Sequence, residues 1–448
     1  MAPVQLTPGP PRSAGPPAGG PVIPWEPCLA PVSDGPILEG PASGQRSPGA
    51  TVEETMKYVF RTLVTTGVIA VLGLTVVMLL RTLHPTWWRR RAVRWAAWGL
   101  PVAAAVAGVA WMVGFRAGIE WLFKVGSTAS AVAVVVLLGL VIALPVSGLL
   151  HLLHRGLERR ARPDPARFDN ERRDLLKLAA GAVPAVVVLT GGTGIARAFQ
   201  NTRVYLRPLR FPDLPPALEG LRVLHLTDSH LGFFRNLPDF EAVTRAARPF
   251  EPDLVLLTGD IADDLEQLPG ALERAASLKP RLGVYGTLGN HEYSRGIEAV
   301  MRAYAHSPVR LLRSDGVPLD VQGTRLWLAG ADDPRYMHKD TAPFLERTVA
   351  EAMIGAPTDA FRLLLSHRPE GLLPAARHGI QLTLAGHTHG GQVGFGGRSF
   401  WRLFTRRYLW GEYRERAAQM YLSAGIGHWF PFRLGCPTEA PVIVLRRG

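Results

Sequence analysis

A chain of 448 residues has room for roughly two to four domains, and its formal charge of +13 raises the question of a nucleic-acid partner. The charge is unevenly placed: residues 58–200 hold 17 Lys and Arg against 6 Asp and Glu, whereas 201–448 hold 30 against 26. Basic residues gathered around long apolar runs belong beside a membrane, so no nucleic-acid binding is expected.

Residues 1–50 contain 13 prolines and 8 glycines. Such a segment cannot bury enough apolar surface to offset its chain entropy, and 1–57 is read as a disordered tail. It lacks the charged start and apolar core of a cleavable signal peptide. Cys28 lies in this tail and Cys436 near the far end, so neither a structural disulfide nor a Cys-ligated metal is expected.

Three apolar runs follow, at 63–80, 95–115 and 129–150, each about the 20 residues that cross hydrocarbon as a helix. Trp87, Trp88, Trp95 and Trp98 cluster at one end of the second run, where amphipathic rings favour the membrane interface. Buried helices of a soluble protein rarely run so long without a polar face. A fourth run, 178–195, is interrupted by Pro184 and by Gly181, Gly191, Gly192 and Gly194. Ahead of it stands E-R-R-D-L-L-K at 171–177, which resembles a twin-arginine export signal except that Glu171 replaces Ser or Thr and Leu175 replaces Phe. Arg172 and Arg173 can equally be inside-facing anchors. The region 58–200 is therefore an all-α transmembrane region of three or four helices.

After a basic connector, 201–217, the pattern changes to short strands and helices. Strands are expected at 221–227, 254–258, 283–288, 326–329, 361–365, 381–384, 420–423 and 441–445, and helices at 238–248, 270–278 and 296–306. This alternation defines an α/β layered domain over 218–448, with ligands at the strand ends.

The chemistry gathers after those strands. The sequence reads Asp228-Ser-His230, then G-D-I-A-D at 259–263, G-N-H-E at 289–292, Ser366-His367, and G-H-T-H-G-G-Q at 386–392. Any one block is common by chance; all five in order make one site. Together they resemble the calcineurin-like metallophosphoesterases, which carry D-x-H, G-D-x-x-D, G-N-H-E, a lone His and G-H-x-H in that order. The extended G-H-T-H-G-G-Q and the tail R-L-G-C-P-T-E at 433–439 look like a bacterial subgroup that is membrane-bound or exported, some members of which act on nucleotide-linked lipids. Thr438 stands where that subgroup more often reads Pro-Glu directly, which leaves the register of Glu439 open.

The resemblance implies a two-sheet β-sandwich flanked by helices and a metal-dependent phosphoric ester hydrolase. Two divalent ions about 3.5–4 Å apart clamp the phosphate and share a hydroxide that attacks it. By the family's pattern Asp260 bridges the ions, Asp228, His230 and His389 hold one, and Asn290, His367 and His387 hold the other. His291 stabilises or protonates the departing oxygen. Nitrogen and oxygen donors without thiolates suit Mn, Fe or Zn. His225 reads as a packed sheet residue, Asp263 as a group that orients loops, and Asp264 and Glu292 as supports; His428 could border the pocket. The stretch 400–410 interleaves aromatics with three arginines, suiting either an anionic lipid surface or the core and rim of a closing loop.

The expected function is a membrane-anchored binuclear-metal phosphoesterase that hydrolyses a phosphodiester or pyrophosphate bond, with a substrate that can be lipid-linked. Alternatives are a nucleotide-diacylsugar pyrophosphatase of lipid A assembly and a non-catalytic membrane sensor of a phosphorylated ligand. The segments 81–94 and 152–177 are rich in arginine, whereas the tail and the link after the second run are not, so an inner-membrane protein with its catalytic domain outside the cytoplasm is expected.

Overall fold

A computed structural model describes residues 52–448 apart from 118, 162–169, 233, 336–340, 406 and 429. Most of the expected tail, with Cys28, lies outside the described residues, as does Arg406. Residues Thr62–Gly448 form one compact unit.

The apolar runs are helices: α1 (Val52–Leu83), a short α2 (Pro85–Trp88), α3 (Arg91–Ala117), α4 (Glu120–Ala161) and α5 (Asn170–Ala198). Four stretches, Thr66–Leu83, Arg91–Gly114, Trp121–Gly156 and Leu178–Ala198, are long and apolar enough to cross a membrane. The fourth run, broken in sequence by Pro184, is one continuous helix. Ile69, Val76, Ala104, Leu137 and Leu144 are shielded between helices, whereas Leu74, Val106, Ile142 and Leu189 are exposed. A soluble bundle would turn those faces inward; outward-facing Leu and Val suit lipid. Two polar side chains inside the bundle meet backbone carbonyls, with Ser147 Oγ donating to Ala180 O at 2.5 Å and His84 Nε2 lying 2.9 Å from Leu144 O.

The rest is a sandwich of two mixed six-stranded sheets. In chain order its elements are β1 (Arg203–Phe211), β2 (Arg222–Leu226), α6 (Leu237–Ala247), β3 (Leu254–Thr258), α7 (Leu268–Ala276), β4 (Val284–Thr287) and α8 (Asn290–Ala305). Then come β5 (Arg310–Leu311), β6 (Asp315–Val321), β7 (Thr324–Gly330), α9 (Thr341–Ala352), β8 (Phe361–Leu365), α10 (Leu372–Arg377) and β9 (Leu382–Ala385). The chain closes with β10 (Gly394–Phe395), β11 (Arg398–Ser399), β12 (Gly411–Glu415), β13 (Ala418–Leu422) and β14 (Glu439–Arg447). One sheet runs β1-β14-β2-β3-β4-β5 and the other β12-β13-β9-β8-β7-β6.

Alternation along the strands builds two cores at once. Val223, Leu254, Leu256 and Ile443 point inward to meet Leu328, Leu363, Leu382 and Tyr421 of the opposite sheet. Their neighbours Leu224, Leu226, Val255 and Leu257 face outward onto Phe240, Leu272 and Val300 of the covering helices. Trp327 and Leu364 do the same for the second sheet, against Val349 and Ala375.

The segment expected as a connector is instead an edge strand. β1 pairs parallel with β14 along its whole length, from Arg203↔Glu439 to Phe211↔Arg447. Pro208 is tolerated there because an edge strand leaves one row of its backbone groups unpaired. The strands β2, β3 and β4 run parallel, and so do β7, β8, β9 and β13. Their carboxyl ends therefore meet along one rim of the sandwich, where the motif residues stand.

Candidate metal centre

Each motif follows a strand end directly. Asp228 and His230 come after β2, Asp260 after β3, Asn290 opens α8 after β4, His367 follows β8, and His387 and His389 follow β9. The chain must turn sharply to aim these side chains inward. Asp228, His230, Asp260, His387 and His389 all have positive φ, between 47° and 74°. That conformation is unfavourable for side chains with a Cβ, and such strain gathers at functional sites. Gly386 is needed for a different reason: a Cβ there would lie 2.1 Å from Asp228 Oδ2.

The residues converge in three overlapping groups whose donor atoms lie within 4.8 Å of one another: Asp228, His230 and His389; His230, Asp260 and His291; Asp260, His367 and His387. His389 Nε2 is 3.4 Å from Asp228 Oδ1 and 3.1 Å from His230 Nε2. On the other side His367 Nε2 is 3.2 Å from Asp260 Oδ2, and His387 Nδ1 is 3.2 Å from His367 Nε2. Asp260 Oδ2 is also 3.8 Å from His230 Nε2, so this carboxylate stands between the two sides.

The partners fix the tautomers, because a carboxylate or carbonyl oxygen can only accept. His230 donates from Nδ1 to Asp263 Oδ2 at 2.9 Å, and His367 donates from Nδ1 to Thr258 O at 2.8 Å. Both are left with Nε2 turned to the centre. His291 donates from Nδ1 to Asp263 Oδ1 at 2.5 Å, and its Nε2 lies 4.0 Å from Asp260 Oδ2. Asp263 also accepts from Arg295 Nε at 2.9 Å. It supports the donors rather than joining them.

Burial pushes the His387 imidazole down to about 3, helped by the charges of His367 and Arg368, and it holds His389 well below the usual range. For His367 burial is outweighed by the carboxylates of Asp260, Asp228 and Asp333, which hold it at about 10. For His291 burial is likewise outweighed, by the hydrogen bond to Asp263 and the charge of Asp260, giving about 9. Burial raises Asp260, but the charge of His367 and its hydrogen bond win and keep the group well below the carboxylate range.

The residues fit two divalent ions. The candidate donors are carboxylate and amide oxygens and imidazole nitrogens, Asp260 is common to two of the three groups, and among the described residues no cysteine joins them. Asn290 Oδ1 is buried and has no hydrogen-bond partner among the described residues, which leaves it available as a donor atom.

Several neighbours have other roles. Glu292 is buried and accepts from the backbone N–H groups of Gly289, Asp260 and Ile261 at 2.8–2.9 Å, clamping two motif loops together. His225 lies in the sheet with Nε2 2.8 Å from Thr258 Oγ1, and Asp264 Oδ1 accepts from Glu266 N at 3.2 Å. His428 is buried against Phe234 and Phe199 and belongs to none of the donor groups. Glu439 is also structural: it accepts from Tyr205 Oη at 2.7 Å, Ala424 N at 2.9 Å, Trp410 Nε1 at 3.0 Å and Tyr421 Oη at 3.1 Å.

Sequence reasoning missed two arginines. Arg368 places Nη1 3.1 Å from His387 Nε2 and is held by Asp333 through Nε at 3.0 Å. Arg433 is fully buried, donates to His389 O at 3.1 Å, and places Nη2 3.2 Å from His389 Nδ1. The available signals were the position of Arg368 directly after His367 and that of Arg433 at the head of the R-L-G-C-P-T-E tail.

Residues 221–391 match the family model for calcineurin-like phosphoesterase. That range contains every residue of the convergent groups. Residues 221–391 thus carry a calcineurin-like phosphoesterase domain, which supports a metal-dependent phosphoesterase. It is 29% identical over 326 residues to a transmembrane protein with metallophosphoesterase domain from Danio rerio, covering 68% of this chain and 70% of that one. Residues 218–448 are too few to account for that coverage, so the likeness reaches upstream of them. An uncharacterized metallophosphoesterase from Aquifex aeolicus is 29% identical over 250 residues, covering 54% of this chain and 92% of its own. Among solved structures, a dimetal phosphatase from Danio rerio matches at 13% identity and a TM-score of 0.29, over 46% of this chain and 88% of that one, a likeness too slight to argue from.

Proposed function

We propose that the chain is a membrane-anchored, two-metal phosphoesterase that hydrolyses a phosphodiester or pyrophosphate bond. The observation that carries this reading is the position of Asp260, whose carboxylate belongs both to the group with His230 and to the group with His367 and His387. Asp228, His230 and His389 would hold one ion, Asn290, His367 and His387 the other, and Asp260 both; the donor set favours Mn, Fe or Zn. Two such ions supply a nucleophile at neutral pH and neutralise charge on the phosphoryl oxygens.

The chain's own groups do the rest. Asp263 anchors Nδ1 of His291, and the raised proton affinity of that ring keeps a proton on Nε2, which faces the centre. From there it can pass to the departing oxygen. His230 is turned by the same carboxylate so that its free lone pair faces inward. The helical region 58–200 serves as anchor and 218–448 as the catalytic domain, with β1 of the 201–217 segment already part of its sheet. We place the protein in the cell's inner membrane with 218–448 outside the cytoplasm, on the arginine-rich segments that stay inside.

Purified protein assayed with several metals on phosphomonoesters, phosphodiesters and nucleotide-linked lipids tests the reading. Metal-dependent turnover of the diester or pyrophosphate substrates is expected. Turnover of monoesters alone would contradict the substrate class, and binding without turnover the whole reading.

A further inference from the structure

The 393–407 segment is not consumed by the catalytic site. Trp410 is buried in the domain, but Phe395, Leu403 and Phe404 are between 72% and 89% exposed, and Phe400 and Trp401 are each 43% exposed. The region thus divides: Trp410 is core, whereas the large apolar side chains from Phe395 to Phe404 project. Phe400 rests on Trp401 and Phe404, at ring-centroid distances of 5.6 and 5.5 Å. Large side chains grouped in this way on a surface mark a contact with something apolar.

The surrounding charge and the position in the fold say what that contact is. Between Gln392 and Trp410 the sequence has four arginines and no acid, and Arg398, Arg402 and Arg407 are exposed. Apolar side chains interleaved with cations only are suited to the interface of an anionic bilayer, where rings and aliphatic tips enter the acyl boundary and guanidinium groups stay with the phosphates. The loop is also tied to the last membrane helix. Phe400 N donates to Val393 O at 2.8 Å, and Gln392 Nε2 donates to Phe430 O and Phe432 O at 2.6 and 2.8 Å. The Phe432 ring packs so closely on Gly194 of α5 that a Cβ there would lie 2.2 Å from it, and Arg433 N donates to Gly194 O at 2.8 Å. Gly194 lies within the span Leu178–Ala198. A short run of contacts therefore connects the bilayer to the projecting loop. The same loop touches the metal centre, since Trp401 Nε1 donates to Gly391 O at 2.9 Å, two residues beyond His389.

We propose that the loop carrying Phe395, Phe400, Trp401, Leu403 and Phe404 inserts into the anionic headgroup layer of the bilayer that the four helices cross. It holds the rim of the metal centre against the membrane surface. The inference rests on those helices spanning a membrane and does not depend on the reaction catalysed.

The test uses the full chain with Cys28→Ser and Leu403→Cys, labelled at the new thiol with an environment-sensitive fluorophore; Cys436 is fully buried and stays unlabelled. The protein is placed in nanodiscs of phosphatidylcholine and phosphatidylglycerol, with and without bromine on the acyl chains. An inserted side chain lies about 5–10 Å into the headgroup and acyl boundary, so brominated lipid should quench the emission roughly twofold while aqueous iodide has little effect. Quenching by iodide and not by brominated lipid would overturn the proposal in favour of a solvated loop. Protection from both quenchers would also overturn it, in favour of a protein contact such as a second copy of the chain.

Discussion

Asp263 holds His291 through a 2.5 Å contact between Oδ1 and the ring Nδ1, and with its other oxygen it holds His230. One carboxylate thus orients a proposed proton donor and a proposed metal ligand together. Replacing Asp263 with Asn leaves a single acceptor oxygen for two rings and removes the negative charge beside His291. Turnover should fall about 10- to 100-fold, as is usual when the support of a ligating imidazole is lost. The pH profile should move as well. In the proposed role His291 works protonated, so the activity it supports should be present below its pKa and lost above it. The Asn variant should therefore lose activity at a lower pH than the parent; a rate–pH profile with an unmoved alkaline limb would contradict the pairing.

His291→Ala should separate binding from chemistry. Metal content should stay as in the parent, because the remaining donors keep their partners. Turnover of a substrate with a poor leaving group should fall on the order of 10²-fold, with a smaller loss where the leaving group needs no proton. Equal rates for parent and variant on the poor leaving group would remove His291 from this role.

Glu439 lies among four donors, and its replacement by Ala would leave the side chains of Tyr205, Trp410 and Tyr421 and the Ala424 amide without their acceptor. An unsatisfied buried polar group costs about 1–3 kcal/mol, so a loss of roughly 3 kcal/mol or more is expected. Thermal unfolding followed by tryptophan fluorescence reads this. An unchanged midpoint would show that the network is not holding β1, β13 and β14 together.

The placement of the catalytic domain is tested by a reporter at the C-terminus. Fused alkaline phosphatase should be active and fused green fluorescent protein dark. The opposite pair of results would put the domain in the cytoplasm.

How far the sequence could be read depended on local signals. The strands β2, β3, β8 and β9 are short apolar runs that end in motif residues, and both features can be read without a structure. The edge elements could not: β12 (Gly411–Glu415) alternates half-buried and exposed residues and carries three charges, and β1 contains Pro208 and three arginines. Such strands are stabilised by one neighbour's backbone rather than by burial, so composition says little about them. The helix expected from 296 starts at Asn290, and Gly296 marks a kink with φ 138° inside it. The donors themselves were legible because chemistry limits the residue types that can serve. Arg368 and Arg433 were not, since an arginine in sequence reads as surface until the fold buries it against an imidazole. The aromatic stretch after Ser399 was legible in kind but not in exposure, which depends on how the loop leaves the sheet.

The most direct test of the central claim is elemental analysis of the purified parent and of Asp260→Ala, with activity measured on the same samples. The parent should carry about two transition-metal ions per chain, the number that shared-carboxylate chemistry requires. The variant should lose most of both ions along with its turnover, because Asp260 joins the donor group with His230 and the one with His367 and His387. Full metal content in Asp260→Ala, or full turnover in a parent that carries a single ion, would contradict the two-metal account.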